Sequence, residues 1–299
     1  MSAPAATAAA SLPGTPITER TFSLPSLRLH AVEAGPEDGP LVLLLHGFPE
    51  LWYGWRYQIP ALAQAGFRVL APDQRGYNLS DKPRALAAFC LDRLAEDVMG
   101  LLDAVGRERA CVAGHDWGAA VTWWTAVRFP ERVERLAILN VPHPLVMRKH
   151  LRSNPAQRKK SWYIFFFQLP WLPELVLRRR GFRMLGKGLR TARPGTFGET
   201  DFAVYRSAWS QPGALRAMVH WYRAALRRPP ARVPSPRVKP PTLALWGEKD
   251  RFLGVEMIEP SLALCDAPRL ERFPAASHWL QHEEPAAVNR LLVEFFSPA

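Results

Sequence analysis

Short, unbroken apolar runs punctuate the chain at Leu41 to Leu45, Arg68 to Ala71, Ala110 to Ala113, Leu136 to Leu139 and Thr242 to Trp246, with a weaker alternation over Leu27 to Glu33. Apolar runs of this length without alternation mark strands buried on both faces. Helical spacing fills Leu91 to Val105 and Gly118 to Phe129. After Trp246 come a helix around Val255 to Leu264, a strand around Leu270 to Phe273, and a helix from Pro285 to Phe296 that opens with proline in its first turn. Strands alternating with helices predict an α/β fold, a mostly parallel sheet with helices on both faces. One long interval breaks the alternation. Residues 142–241 are helical, aromatic and basic, and six prolines fall between positions 229 and 241. Proline at that density excludes a central strand or helix and reads as a stiff return connection. The expected organisation is a flexible tail over 1–20, a core of 21–141 and 242–299, and a helical cap of 142–241. That cap covers the carboxyl ends of the strands, where open α/β sheets place their sites.

Composition narrows the picture. The chain has 299 residues, 48% hydrophobic and 22% charged, which excludes a disordered or fibrous chain. Its longest apolar runs fall far short of a membrane span of about 20 residues. Met1 to Pro16 lacks the basic start and long apolar stretch of a signal peptide. Three scattered cysteines argue against a disulfide framework and for a reducing, cytoplasmic setting. The net charge of +12 is local in origin. Of 39 Lys and Arg, 13 lie between Arg148 and Arg193, with Glu174 as the one acid there, and the remaining 26 of each sign balance. A solvated basic face is the plain reading of such a segment. Nucleic-acid signatures are absent, and no nucleic-acid partner is expected.

The candidate chemistry starts at Gly114-His115-Asp116-Trp117-Gly118, between an apolar strand and a helix. Glycines two residues either side of a central residue at a sharp strand-to-helix turn form the nucleophile-elbow pattern. Its usual serine is here Asp116; the competing structural role is a carboxylate capping the helix. The aspartate changes the reaction. Already anionic at neutral pH, it attacks a saturated carbon directly and gives an alkyl ester, which a histidine-activated water then hydrolyses. Epoxides and alkyl halides are the matching electrophiles.

Among the histidines, His278 follows the strand near Phe273 and precedes the last helix, which places it beyond the sheet edge as the base. His46 and His115 are better read as structural parts of tight turns. Asp250, in Gly247-Glu248-Lys249-Asp250 after a strand, suits the orienting acid, with Glu248 as its local rival. The other acid position, after Leu139, holds Asn140, which carries no charge. In His46-Gly47-Phe48-Pro49 the Phe48 N–H, with the Trp117 N–H, is expected to form an oxyanion hole, and Pro49 is a candidate cis residue. Asp73 reads as a structural loop anchor.

Joined with Asp73-Gln74-Arg75-Gly76-Tyr77-Asn78-Leu79-Ser80-Asp81, Phe167-Gln168-Leu169-Pro170, Trp221-Tyr222-Arg223 and Ser277-His278-Trp279, these motifs resemble the epoxide hydrolases of the α/β-hydrolase fold across residues 25–297. The resemblance implies that fold, with its inserted cap. It also implies two cap tyrosines that donate to the epoxide oxygen: Tyr163, four residues before Phe167, and Tyr222. Ring opening leaves an alkoxide, a far stronger base than halide, and a phenol of ordinary pKa about 10 stays protonated to meet it. Ser277 departs from the glycine usual before the histidine.

The expected substrate is a small apolar epoxide that touches Phe48 and Trp117, with water as the second reactant. No metal and no organic cofactor are expected, and a homodimer is left open. The alternatives are a haloalkane dehalogenase, which would hold halide with the Trp117 indole and a second donor where Phe48 stands, and a non-catalytic ligand-binding member of the fold.

Overall fold

In the computed structural model, which describes residue 12 and residues 14–297, the apolar runs become one eight-stranded sheet. Its strands are β1 (Thr18–Ser23), β2 (Arg28–Ala34), β3 (Leu41–Leu45), β4 (Arg68–Pro72), β5 (Ala110–His115), β6 (Val133–Leu139), β7 (Thr242–Gly247) and β8 (Pro268–Phe273). They lie in the order β1-β2-β4-β3-β5-β6-β7-β8. The first two pairings, β1 with β2 and β2 with β4, are antiparallel; the rest are parallel. Every residue of β3, β4, β5 and β7 is buried, as continuous apolar runs require when both faces of a sheet are covered. The covering helices are α1 (Gln58–Gln64), α2 (Leu91–Ala104) and α3 (Trp117–Arg128), and after β7 α10 (Ile258–Leu262), α11 (Leu280–Glu283) and α12 (Pro285–Phe296). α1 packs on α12, and α2 on α3.

Two expectations need correction. Residues 18–20, assigned to the tail, belong to β1 and pair with Ala31 to Glu33; residues 1–11 and 13 of that tail lie outside the described residues. β1 escapes an apolar pattern because it is an edge strand that buries only Phe22. It is held by its ladder and by Arg20, 2.8 Å from Glu33. The helix expected over Val255 to Leu264 is a short 3-10 turn followed by α10.

Between β6 and β7 run α4 (Pro144–Ser153), α5 (Pro155–Lys160), α6 (Trp162–Phe166), α7 (Leu172–Leu189), α8 (Glu199–Ser210) and α9 (Ala214–Arg227). α7 kinks where Arg180, Gly181 and Phe182 take positive φ. On α9, Leu215, Met218, Trp221 and Tyr222 fall on one buried face by helical spacing. These helices rest on the loops that leave β3 and β4. The Trp209 indole donates to the Pro49 carbonyl at 2.6 Å, the Trp221 indole to that of Arg75 at 3.0 Å, and the Tyr205 hydroxyl to Glu50 at 2.6 Å. The proline-rich return forms no helix and touches the core through a bridge between Val238 and Cys265. Among the described residues no helix is long and apolar enough to cross a membrane.

Candidate active site

Asp116 stands alone between β5 and α3 with φ 49° and ψ −122°, a conformation costly for any residue with a Cβ. Its surroundings enforce the turn. A Cβ on Gly118 would meet the Leu45 carbonyl oxygen at 1.9 Å, and one on Gly47 would meet the Asp116 Cβ at 2.3 Å. Both close approaches are open only to glycine. The Asp116 side chain makes no capping bond to α3, so the competing structural role is not the one adopted. Instead its Oδ1 accepts from the Phe48 N–H at 2.8 Å. The Phe48–Pro49 peptide is cis.

The expected base and acid meet here. His278 Nε2 is 3.4 Å from Asp116 Oδ2, and its Nδ1 is 2.7 Å from Asp250 Oδ2. Asp250 is buried, and its Oδ1 accepts from the N–H groups of Phe252 and Leu253 at 2.7 and 2.9 Å. Burial alone would lower the pKa of His278, but the charge of Asp250 and the contact with Asp116 outweigh it and raise the imidazole to about 10. Burial works to raise Asp116, and the His278 contact, the nearby charge and the Phe48 N–H together hold it below the ordinary carboxylate range. The resting site is therefore an imidazolium between two carboxylates.

Above this triad lies a cavity of about 290 Å³. Asp116, His278, Tyr163 and Tyr222 all line it, with Phe48, Phe167 and Phe252 among the apolar wall. The two phenol rings stand 5.8 Å apart, nearly perpendicular. Burial first, and then the negative charge of Asp116, push both hydroxyls well above their ordinary pKa, so both stay protonated.

Trp117 is placed differently from expectation. It is not among the residues lining the cavity, and its indole packs edge-on against Tyr222 at 5.1 Å and Trp221 at 5.7 Å. Of the two expected oxyanion donors, only the Phe48 N–H is hydrogen-bonded to the Asp116 carboxylate among the described residues. His46 proves structural: its Nε2 accepts from the Gln74 N–H, while Nδ1 faces the Gly47 carbonyl. His115 does too, with its Nε2 2.9 Å from the His278 carbonyl. Asp73 anchors its loop by contacts with His30, Asn78 and the Trp52 N–H.

Three contributors were not foreseen. Asn140 lacks charge but donates to Asp250 Oδ2 at 3.0 Å, while its own oxygen accepts from the Gly247 N–H. Its place straight after β6 was the available signal. Glu50 is buried behind the site and is held by Tyr205 of α8 and by Gln281 and His282 of α11, which tie both helices to the loop bearing Phe48. Ser277 needs no glycine-only backbone; its N–H and hydroxyl both donate to Glu283. Among the described residues no cluster of three or more His, Cys, Asp or Glu is placed to hold a metal ion.

Known proteins resemble this chain in sequence and fold. The α/β-hydrolase-fold family matches residues 40–285. An AB hydrolase superfamily protein, YfhM of Bacillus subtilis, is 46% identical over 90% of this chain and 94% of its own. Epoxide hydrolase 4 of Homo sapiens is 40% identical over 90% of this chain and 75% of its own. The crystal structure of the Bacillus megaterium epoxide hydrolase in complex with an inhibitor superposes with a TM-score of 0.84 at 31% identity, covering 92% of this chain and 99% of that one.

Proposed function

The chain belongs to the epoxide hydrolases of the α/β-hydrolase fold, and from that premise we propose that Asp116, His278, Asp250, Tyr163 and Tyr222 carry the conversion of an epoxide to its vicinal diol. One observation carries the assignment. A carboxylate fixed at the turn between β5 and α3 shares its cavity with two protonated phenols and lies 3.4 Å from a carboxylate-oriented imidazole.

In the first step Asp116 attacks one epoxide carbon, the ring C–O bond breaks, and the departing oxygen takes one proton from one of Tyr163 and Tyr222 while the other donates a hydrogen bond to it. Ester formation consumes the charge of Asp116, one of the two charges that keep His278 protonated. His278 therefore gives up its proton, through solvent, to the phenol that protonated the departing oxygen, and is a neutral base by the time water must be activated. In the second step His278 deprotonates water, and Asp250 stabilises the resulting imidazolium. The water oxygen adds to the ester carbonyl, whose oxyanion the Phe48 N–H receives. Collapse expels the diol and restores Asp116 with one oxygen from water. Epoxide and water are the only reactants.

The cavity size and its aromatic wall favour a small apolar epoxide. A reducing, cytoplasmic setting fits the three free cysteines, two of them buried, with the Cys111 thiol pushed by burial up to about 12 and that of Cys265 up to about 11.

His278→Gln tests the scheme. Incubated with a simple epoxide, it is expected to gain the mass of that epoxide on the intact protein, with the adduct mapping to Asp116. Diol turnover without the adduct would overturn the two-step route.

A further inference from the structure

The basic interval carries more than charge. Five of the nine exposed large apolar side chains among the described residues fall within its residues 162–175: Trp162, Phe165, Leu169, Trp171 and Leu175. Trp171 is 70% exposed and Trp162 54%, although a large indole is usually among the better buried side chains. A run of such residues on a globular surface marks an interaction site.

The charges beside it are uncompensated. Arg158 and Lys159 precede the run by one turn, and Arg178, Arg179, Arg180 and Arg183 follow it at the kink of α7, all of them exposed. None of these six has a carboxylate within ion-pair distance among the described residues, whereas Glu174 is taken by Arg223. Some surface arginines elsewhere are paired, Arg132 with Asp103, Arg237 with Asp266 and Arg269 with Glu294, and others such as Arg84, Arg232 and Arg251 stand singly, but six unpaired cations beside one apolar run occur here.

Exposed indoles and leucines flanked by free guanidiniums suit a boundary with hydrocarbon on one side and anionic headgroups on the other. A protein partner would have to supply both an apolar socket and a surplus of acids. A second copy of this chain presents the same positive charge and repels. The patch is also continuous with the cavity, because the half-exposed Trp162 is one of the cavity's lining residues, as is Lys187.

We propose that this face of α6 and α7 docks on an anionic lipid bilayer, with Trp171 and Leu175 inserting and Arg178 to Arg183 engaging the headgroups, so that the cavity opens toward the lipid. Docking follows from the surface alone. Delivery of lipid-dissolved epoxide to Asp116 rests on the epoxide hydrolase reading.

Flotation with phosphatidylglycerol–phosphatidylcholine vesicles, against pure phosphatidylcholine vesicles, tests the docking. The full chain is expected to float with the anionic vesicles at low salt and to be released as salt rises. Arg178→Glu with Arg179→Glu, and separately Trp171→Glu, are each expected to weaken binding by at least about tenfold. Both variants should keep wild-type turnover of a water-soluble epoxide, which shows that they are folded and keeps this result independent of the reaction. Absence of binding to anionic vesicles, equal binding to neutral ones, or binding untouched by both variants would overturn the proposal. So would a dimer in solution that Trp171→Glu dissociates, which would make a second copy the occupant.

Discussion

The two walls of the cavity above Asp116 are made of different materials. On the core side sit charges and backbone donors, held on strand ends: Asp116 at a strained turn, His278 between two carboxylates, and the N–H groups of Phe48, Phe252 and Leu253. On the inserted side sit neutral aromatic side chains, with Tyr163 and Tyr222 packed edge-on among Phe48, Phe167 and Phe252. Charged groups act over distance and lose most of their value when misplaced in a low dielectric, so they belong on the rigid wall. Phenols with raised pKa are neutral at rest and serve by contact. They can therefore ride on helices packed above the sheet.

Removing the charge on the core wall should have the largest effect. Asp116→Asn leaves the turn filled but takes away the proposed nucleophile, and diol formation should fall at least about 10⁴-fold, with no covalent adduct in single turnover. Changing the other wall should cost less and selectively. Tyr163→Phe combined with Tyr222→Phe should slow epoxide opening by about 10² to 10⁴, the range of general-acid contributions. An alkyl bromide, whose leaving group needs no proton, should alkylate Asp116 in this variant as well as in the wild type. If both electrophiles suffer equally, the division between walls is wrong.

A smaller effect is expected one contact away from the triad. Asn140→Ala removes a donor to Asp250 and an acceptor for the Gly247 N–H, each buried. Hydrolysis of the ester should slow about tenfold, in line with roughly 1 to 3 kcal/mol for a buried group left unpaired, while alkylation keeps its rate. Quenched-flow detection of the ester would separate the two steps.

The smallest effect concerns pH. His278 is raised above its ordinary value of about 6.5, so its pairing stabilises the fold fully below that value and is lost as pH rises through about 10. Asp116 is shifted the other way, and its contribution is present above its ordinary value near 3.8 and fades as pH falls through the lower folded value. The melting temperature of the wild type should therefore decline between about pH 7 and 10 relative to His278→Gln. Alkylation, which needs ionised Asp116 and protonated Tyr163 and Tyr222, should stay flat from pH 6 to 9, whereas ester hydrolysis should rise with pH.

How much could be read from the sequence differs between the same two regions. Buried parallel strands write themselves as unbroken apolar runs, and residues that must form a tight turn, such as Gly47, Gly114 and Gly118, have no substitute. Asp116, Asp250 and His278 were legible because each follows a strand. Neutral helpers leave no such mark. Asn140 was passed over for lacking charge, although orienting a carboxylate requires a donor and not an ion. The amphipathic spacing of α9 points Tyr222 inward, but its hydroxyl looks the same as that of any core tyrosine until Asp116 is seen beneath it. Tyr163 sits in a five-residue helix too short for periodicity, and only resemblance to a family singled it out. β1 was missed because an edge strand that buries one side chain has almost no pattern to show.

The whole inserted segment is spliced between β6 and β7, two strands that lie side by side in parallel with Leu136 opposite Thr242. Their register is thus set by core contacts that a hundred intervening positions do not share. The chain leaves at the top of one strand and must re-enter at the foot of its neighbour, and residues 228–241, at about 3.1 Å each if extended, have ample reach to descend a six-residue strand. The lid is in this sense a cassette on a strut. A change in its lining would leave Asp116, Asp250 and His278 where the sheet put them.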